Sequence, residues 1–433
     1  MQRKIFFVDD EQRVVDGLRR MLRSMRNEWD MQFFESGPAA LEAMTDVQPD
    51  IVISDMRMPG RDGAQFLEQL RRRWPATIRL ILSGQCERAA VLDAAGPAHQ
   101  FLSKPCNAEE LRRTICRIFE IRDQLANAEI RTIVSQVTAL PISRYRRQQM
   151  AELLTQPKIP EATLIELIHA DVALLSKCLQ LITGGFLGSQ QELIPVADMV
   201  RMIGADSLRS LILERKTLPS MPNDPLIMSL DALFHKVSRV TGEVARQILA
   251  EEKASEQAQL EAEFGGRLAR IGVALLGLID PFKYLHVWRI AAAQKVARTE
   301  LEMRIYGVHR ANVGAYLLGL WGVPSRLVDV ILNAPWPGRY NEAEMSTVTA
   351  VHAACALVDQ ALFHETEPSY RLDLDHLRRI GMEGRLVRWR ELAQTMAQSV
   401  SITPAETLWG TENVPTVPGE SATNVMVLQE MPS

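Results

Sequence analysis

Ile51-Val52-Ile53-Ser54-Asp55-Met56-Arg57-Met58-Pro59-Gly60-Arg61-Asp62-Gly63 is the stretch whose reading decides the fold. An apolar run ends in an acid, and a Pro-Gly turn follows. An unbroken apolar run bounded by a turn is the pattern of a buried parallel strand. Such a strand delivers Asp55 to its C-terminal edge, where ligands and chemistry collect in open α/β sheets.

The flanking chain repeats the pattern. Ile5-Phe6-Phe7-Val8 ends in Asp9-Asp10, and Gln32 to Glu35 is a second strand. Ile78 to Ser83 and Gln100 to Lys104 are the fourth and fifth. Apolar residues at helical spacing over Arg13–Met25, Ala39–Met44 and Ala64–Trp74, and from Asn107 onward, place helices between and after them. Strands and helices alternating in this way predict a doubly wound parallel sheet, the α/β class.

In a parallel sheet Asp9, Asp10, Asp55, Ser83 and Lys104 fall on one rim. Crowded carboxylates repel one another, and a hard divalent cation relieves them. Mg²⁺ suits such a site, because it takes one or two carboxylates and keeps oxygens of water or phosphate. A lysine and a hydroxyl beside it suit a phosphoryl group, and an Asp carboxylate can be the nucleophile.

These residues resemble the signature set of the response-regulator receiver domain over roughly residues 3 to 123: Asp9-Asp10, Asp55 with Met58-Pro59-Gly60, Ser83-Gly84 and Lys104-Pro105. The resemblance implies that Asp55 accepts a phosphoryl group from a cognate histidine kinase. It implies that Asp9, Asp10 and Asp55 hold Mg²⁺ with the backbone carbonyl of Arg57, and that Lys104 and Ser83 contact the phosphoryl oxygens. Phe101 matches the switch aromatic that turns inward when Ser83 moves.

Helical spacing runs on from Glu109 through Leu125 towards Val137, which reads as a final receiver helix extended into a connector. That connector could pair in a homodimer, pass a receiver shift onward, or pack on its own domain. From Ser143 to about Ser401 the chain reads as all-α, with helices that include Ala258–Leu278 and His286–Tyr306. Gly184-Gly185 and Gly265-Gly266 read as helix breaks, and Arg144-Tyr145-Arg146-Arg147 as a solvated basic cluster.

This second region resembles the HDOD domain, a relative of the HD phosphohydrolases. The resemblance rests on Leu140-Pro141, Ile168 to Leu174, Ile194-Pro195 with Met202-Ile203-Gly204, and Val308 to Leu318 with Trp321-Gly322-Val323-Pro324. HD enzymes bind metal through a His, a His-Asp pair and a later Asp. Here His235 fits the first position, Ala269-Arg270 stand at the pair, and Cys355 stands at the last. Ala and Arg cannot supply the missing ligands, so the resemblance implies a non-catalytic output domain acting on a protein partner. The competing readings are a cyclic-dinucleotide phosphodiesterase of the HD type and a DNA-binding regulator.

The expected boundaries are a receiver at 1–123, a helical linker at 124–140, an HDOD-like domain at 141–363, a helical extension at 364–402 and a disordered tail at 403–433. Apolar residues make up 47% of the chain and charged residues 24%, with a net charge of -4. That balance is ordinary for a globular protein and gives no bulk basic field to draw nucleic acid or a membrane surface. Five scattered cysteines, a short first apolar run and no stretch of membrane-spanning length fit a protein of the reducing cytoplasm.

Overall fold

The computed structural model describes residues 2–58, 61–84, 96–104, 106–156, 159–187, 192–213, 218–221, 225–294, 296–339, 344–363, 371–398 and 400. The expected tail at 403–433 lies outside them, as do Pro59, Gly60 and Pro105.

The N-terminal unit is the expected sheet. Five parallel strands lie in the order Trp29–Phe34, Arg3–Val8, Ile51–Ser54, Ile78–Ser83 and Gln100–Ser103. Ile5, Phe6, Phe7, Ile51, Val52, Leu80 and Ile81 are fully buried, as strands covered on both faces require. Two boundaries differ from the sequence reading. The first helix stops at Met21 and continues as a 3-10 turn over Arg23–Asn27, and the second strand begins at Trp29.

The connector is not one helix. Ala108–Asp123 ends, and Ala128–Val134 starts anew where the Asn127 side chain accepts from the Ile130 amide at 3.0 Å. Asn at this cap competes with continuation of the helix. Leu125, Ile130 and Val134 are buried, so the connector packs onto the rest of the chain.

The C-terminal region is helical. Ala258–Leu278, read as one helix, is two, Glu256–Leu268 and Ile271–Ile279, with the break at Ala269-Arg270. His286–Tyr306 likewise divides into Pro281–Gln294 and Arg298–Tyr306. Gly265 and Gly266 do not break a helix; they sit inside Glu256–Leu268. A Cβ on Gly266 would stand 2.7 Å from the Thr241 carbonyl oxygen, so the glycine lets this helix press against Pro225–Glu251. Arg146 and Arg147 are not a solvated cluster either. Arg146 pairs with Asp171 at 3.2 Å, and Arg147 donates to the carbonyls of Ile212 and Leu218.

Two apolar cores result. One runs continuously from the sheet through the connector into helices of the C-terminal region as far as Ile331. The other joins Pro225–Glu251, Thr347–Phe363 and Leu386–Ala397, with Trp389 fully buried. The extension after residue 371 therefore completes this second core. Among the described residues no helix is long and apolar enough to cross a membrane.

Candidate functional site

Strand register builds the site. Val8 pairs with Ser54, so the next residues, Asp9 and Asp55, leave adjacent strands side by side. Ser83 pairs with Ser103, which places Lys104 just beyond the edge of the fifth strand. Lys104 Nζ lies 2.6 Å from Asp9 Oδ2 and 2.6 Å from Asp55 Oδ1. The other two carboxylate oxygens are also held: Asp9 Oδ1 accepts from the Glu11 amide at 3.0 Å, and Asp55 Oδ2 from the Arg57 amide at 2.6 Å.

Burial pushes the Asp9 carboxyl above its usual range, against the hydrogen bonds from Lys104 and Glu11. Burial works against charge on Lys104 too, but its bonds to Asp55 and Asp9 outweigh it and hold the ammonium above the usual lysine range. Two buried carboxylates therefore share one cation. Both present hard oxygens to that cation, which is the donor set Mg²⁺ prefers, so Asp9 and Asp55 fit the metal that the sequence reading expects.

Asp10 is partly exposed beside this pair. Arg57 contributes its amide to Asp55. Of Ser83 only the backbone is described, at the end of the fourth strand. Gly63, whose role the sequence did not disclose, closes the loop: a Cβ there would stand 2.2 Å from the Asp55 carbonyl oxygen.

Phe101 faces the second domain. Its amide donates to the Gly184 carbonyl at 2.7 Å, and its ring meets that of Phe186 at 5.9 Å between centroids. Gly185 adopts φ +86, and a Cβ on it would stand 1.9 Å from the Phe101 carbonyl oxygen. Next to it, Gln100 Nε2 donates to the carbonyls of Gly319 and Leu320 at 3.1 and 3.0 Å. Gln180 Nε2 donates to the His99 carbonyl at 3.2 Å. The edge strand of the sheet is thereby covered by the chain's own second domain, which shields the unpaired backbone groups of an edge.

Arg79 ties the connector to the same strand end. Its guanidinium donates to the carbonyls of Pro97, Thr77 and Ser135 at 2.7, 2.8 and 2.8 Å. Burial lowers its pKa to about 9. His99 lies beside it, driven well below the usual imidazole range by burial and by the neighbouring guanidinium.

In the second domain His235 and Arg270 line one cavity. His235 Nδ1 accepts from the Val172 amide at 3.0 Å, and its Nε2 lies 3.0 Å from Asp231 Oδ1. Arg270 reaches Asp359 Oδ1 at 2.6 Å, Thr241 Oγ1 at 2.9 Å and Cys355 Sγ at 3.7 Å. A guanidinium thus stands at the position where the resemblance to HD enzymes implies a metal ligand. Asp171, the acid of the Ile168–Leu174 motif, caps the Val172–Thr183 helix by accepting from the Leu174 amide at 2.9 Å.

The sequence matches the response regulator receiver domain family over residues 5–116 and the HDOD domain family over residues 140–336. The chain is 28% identical over 150 residues to the hydrogenase transcriptional regulatory protein HoxA of Cupriavidus necator, covering 34% of this chain and 30% of that one. It is 32% identical over 146 residues to the DNA-binding transcriptional regulator NtrC of Klebsiella pneumoniae, covering 32% and 30%. The chain thus spans about a third of the length of these relatives. Among solved structures, it resembles the signal receiver domain of an HD domain-containing protein from Pseudomonas fluorescens Pf-5. That match has 24% identity and a TM-score of 0.28, and covers 29% of this chain and all of that one.

Proposed function

We propose, for a chain that carries a response-regulator receiver domain followed by an HDOD output domain, that Asp55 accepts a phosphoryl group from a cognate histidine kinase. The HDOD domain then reports that event by changing the surface it offers to a protein partner, without chemistry of its own. The observation that supports this best is Lys104 Nζ at 2.6 Å from both Asp9 and Asp55.

The Arg57 amide holds Asp55 Oδ2, which fixes the carboxylate plane, and Oδ1, released as Lys104 turns to the incoming phosphoryl group, is the attacking oxygen. Oδ1 attacks the phosphorus of the kinase phosphohistidine. A P–O bond forms as the P–N bond breaks, and the imidazole leaves with the electron pair and takes up a proton. Lys104, held protonated, turns its hydrogen bonds to the phosphoryl oxygens, with the Ser83 hydroxyl assigned the same task. Mg²⁺, held by Asp9 and Asp55 with Asp10 and the Arg57 carbonyl, would supply the charge that lets two anions meet.

Phe101 carries the change outward. Turning its ring inward removes it from Phe186, so phosphorylation loosens the receiver from the HDOD domain. Since Gly184 already covers the fifth strand, a second copy of the chain meets that edge only after release. The reducing cytoplasm is the location that this reading implies.

Labelling with acetyl phosphate and Mg²⁺ tests the phosphoacceptor: the intact chain gains one phosphoryl mass and Asp55→Asn does not. Metal analysis of the purified full chain tests the silent HDOD site. Stoichiometric iron, manganese or zinc would overturn it in favour of a phosphodiesterase.

A further inference from the structure

We propose that a segment of this chain's own C-terminal tail, Glu406 to Glu412 with Leu408-Trp409 at its centre, docks on an apolar groove of the HDOD domain. The groove is the open side of a cavity of about 130 Å³ lined by Pro225–Glu251, Ile271–Ile279, Pro281–Gln294 and Thr347–Phe363. Among the described residues its ionisable side chains, including Asp231, His235, Arg270 and Asp359, are all buried. The wall nearer solvent is apolar: Ile227, Phe234, Val273 and Pro281 are half-buried, and Leu278 is 37% exposed. Phe282, one turn further on, is 51% exposed. Large apolar side chains left open beside a cavity mark a docking surface.

The occupant follows from where the chain leaves the described residues. Arg385 and Arg388 pair with Glu252 and Glu251 at one end of Pro225–Glu251. Arg270 bonds both Thr241 and Cys355, and Asp231 and Phe363 line the same cavity, so Thr347–Phe363 lies antiparallel to that helix. Leu386–Ala397 packs along Thr347–Phe363. It therefore runs from the Glu251 end towards the cavity end, and Val400 after it packs on the second core. From Val400 to Trp409 the chain reaches up to about 30 Å when extended.

Charge agrees with reach. Residues 401–433 hold four Glu and no Lys, Arg or Asp, and Trp409 is their one aromatic residue. Residues 281–306 hold five Lys and Arg against two Glu, and Lys283, Arg289 and Arg304 are exposed. Glu406 and Glu412 bring negative charge to this basic rim, and Trp is a preferred anchor for an apolar pocket. A short tether keeps even a weak contact closed, because it raises the local concentration to the millimolar range. The HDOD domain thus carries an occupant for its own groove. A protein partner has to displace it, a step that rests on the function proposed above.

The test places the photo-crosslinker p-benzoylphenylalanine at Trp409 of the full-length protein and maps the adducts after irradiation. The expected product is a crosslink within one chain to residues 227–234 or 277–282. Phe282→Glu, a change at an exposed side chain that leaves the fold intact, is expected to lower its yield about fivefold. Raising salt from about 0.05 to about 0.5 M is expected to lower it about twofold by screening the glutamates. Adducts spread over the surface, adducts to another site, adducts only between two chains, or a yield unmoved by Phe282→Glu would overturn the proposal. Asp55→Asn leaves the crosslink in place, so this result is independent of the phosphoacceptor.

Discussion

The Phe101 amide donates to the Gly184 carbonyl at 2.7 Å, so the last strand of the receiver sends a backbone hydrogen bond into the output domain. The neighbouring Gly185 has φ +86 and no room for a side chain beside Phe101. Gly185→Ala is expected to part this contact, because an alanine pays about 1–2 kcal/mol in that backbone region and its Cβ meets the Phe101 carbonyl. Limited proteolysis and small-angle scattering should show a more open chain with the receiver still folded. A variant as compact and as protected as the parent would contradict the account.

Lys104 is the counter-ion of two buried acids. Lys104→Ala is expected to cost about 2 kcal/mol at neutral pH by leaving them together without a cation. Millimolar Mg²⁺ should then raise the melting temperature of the variant by more than that of the parent, because the metal replaces the lost charge. Equal shifts in both proteins would show that the acids do not share a cation site.

Acid sensitivity should come from buried histidines. His352 Nδ1 is 2.7 Å from the Ala334 carbonyl, and its Nε2 accepts from the Asp373 amide at 2.8 Å, so the ring is held neutral. Burial lowers the pKa of His352 to about 4 and that of His309 to about 4. The unfolded chain binds these protons near pH 6.5 and the folded chain only near 4. The stabilisation is complete above about pH 6.5 and is lost as pH falls towards 4, by up to about 3 kcal/mol for His352. Urea midpoints from pH 7.5 to 4.5 check this, and His352→Gln should flatten the slope.

Arg310 and Glu302 form a fully buried pair, with Tyr284 donating to the same carboxylate at 2.8 Å. Arg310→Met alone is expected to cost about 3–5 kcal/mol, since it strands a buried charge. Adding Glu302→Gln should recover a large part of that loss in a denaturant titration. Additive losses would show that the two side chains are not energetically coupled.

The rim of the receiver was legible because it follows from period and register. Apolar runs ending in Asp9, Asp55, Ser83 and Lys104 can be read without any long-range contact. The contact of Phe101 with Gly184 and Phe186 could not be, because it joins residues far apart in the chain through a backbone carbonyl. Gly184-Gly185 did carry a signal, but a glycine pair marks a helix end as readily as a close approach. Gly265-Gly266 misled in the opposite sense: inside a helix, missing side chains serve packing, Gly266 against Thr241 and Gly242 and Gly265 against Val330 and Val351. The connector was read as one helix because its apolar spacing does not falter; the Asn127 cap breaks it. At Arg270 the resemblance to HD enzymes implied only that metal ligands are missing, and the structure adds the partners, Asp359, Thr241 and Cys355, that hold the guanidinium.

The most direct test of the central claim is amide hydrogen exchange at Phe101 and across Gly184–Leu187 in the full chain, with and without acetyl phosphate and Mg²⁺. If Asp55 controls the docking of the HDOD domain, exchange at these amides rises on phosphorylation in the parent and stays unchanged in Asp55→Asn. Unchanged protection in a protein whose Asp55 carries the phosphoryl group would contradict it.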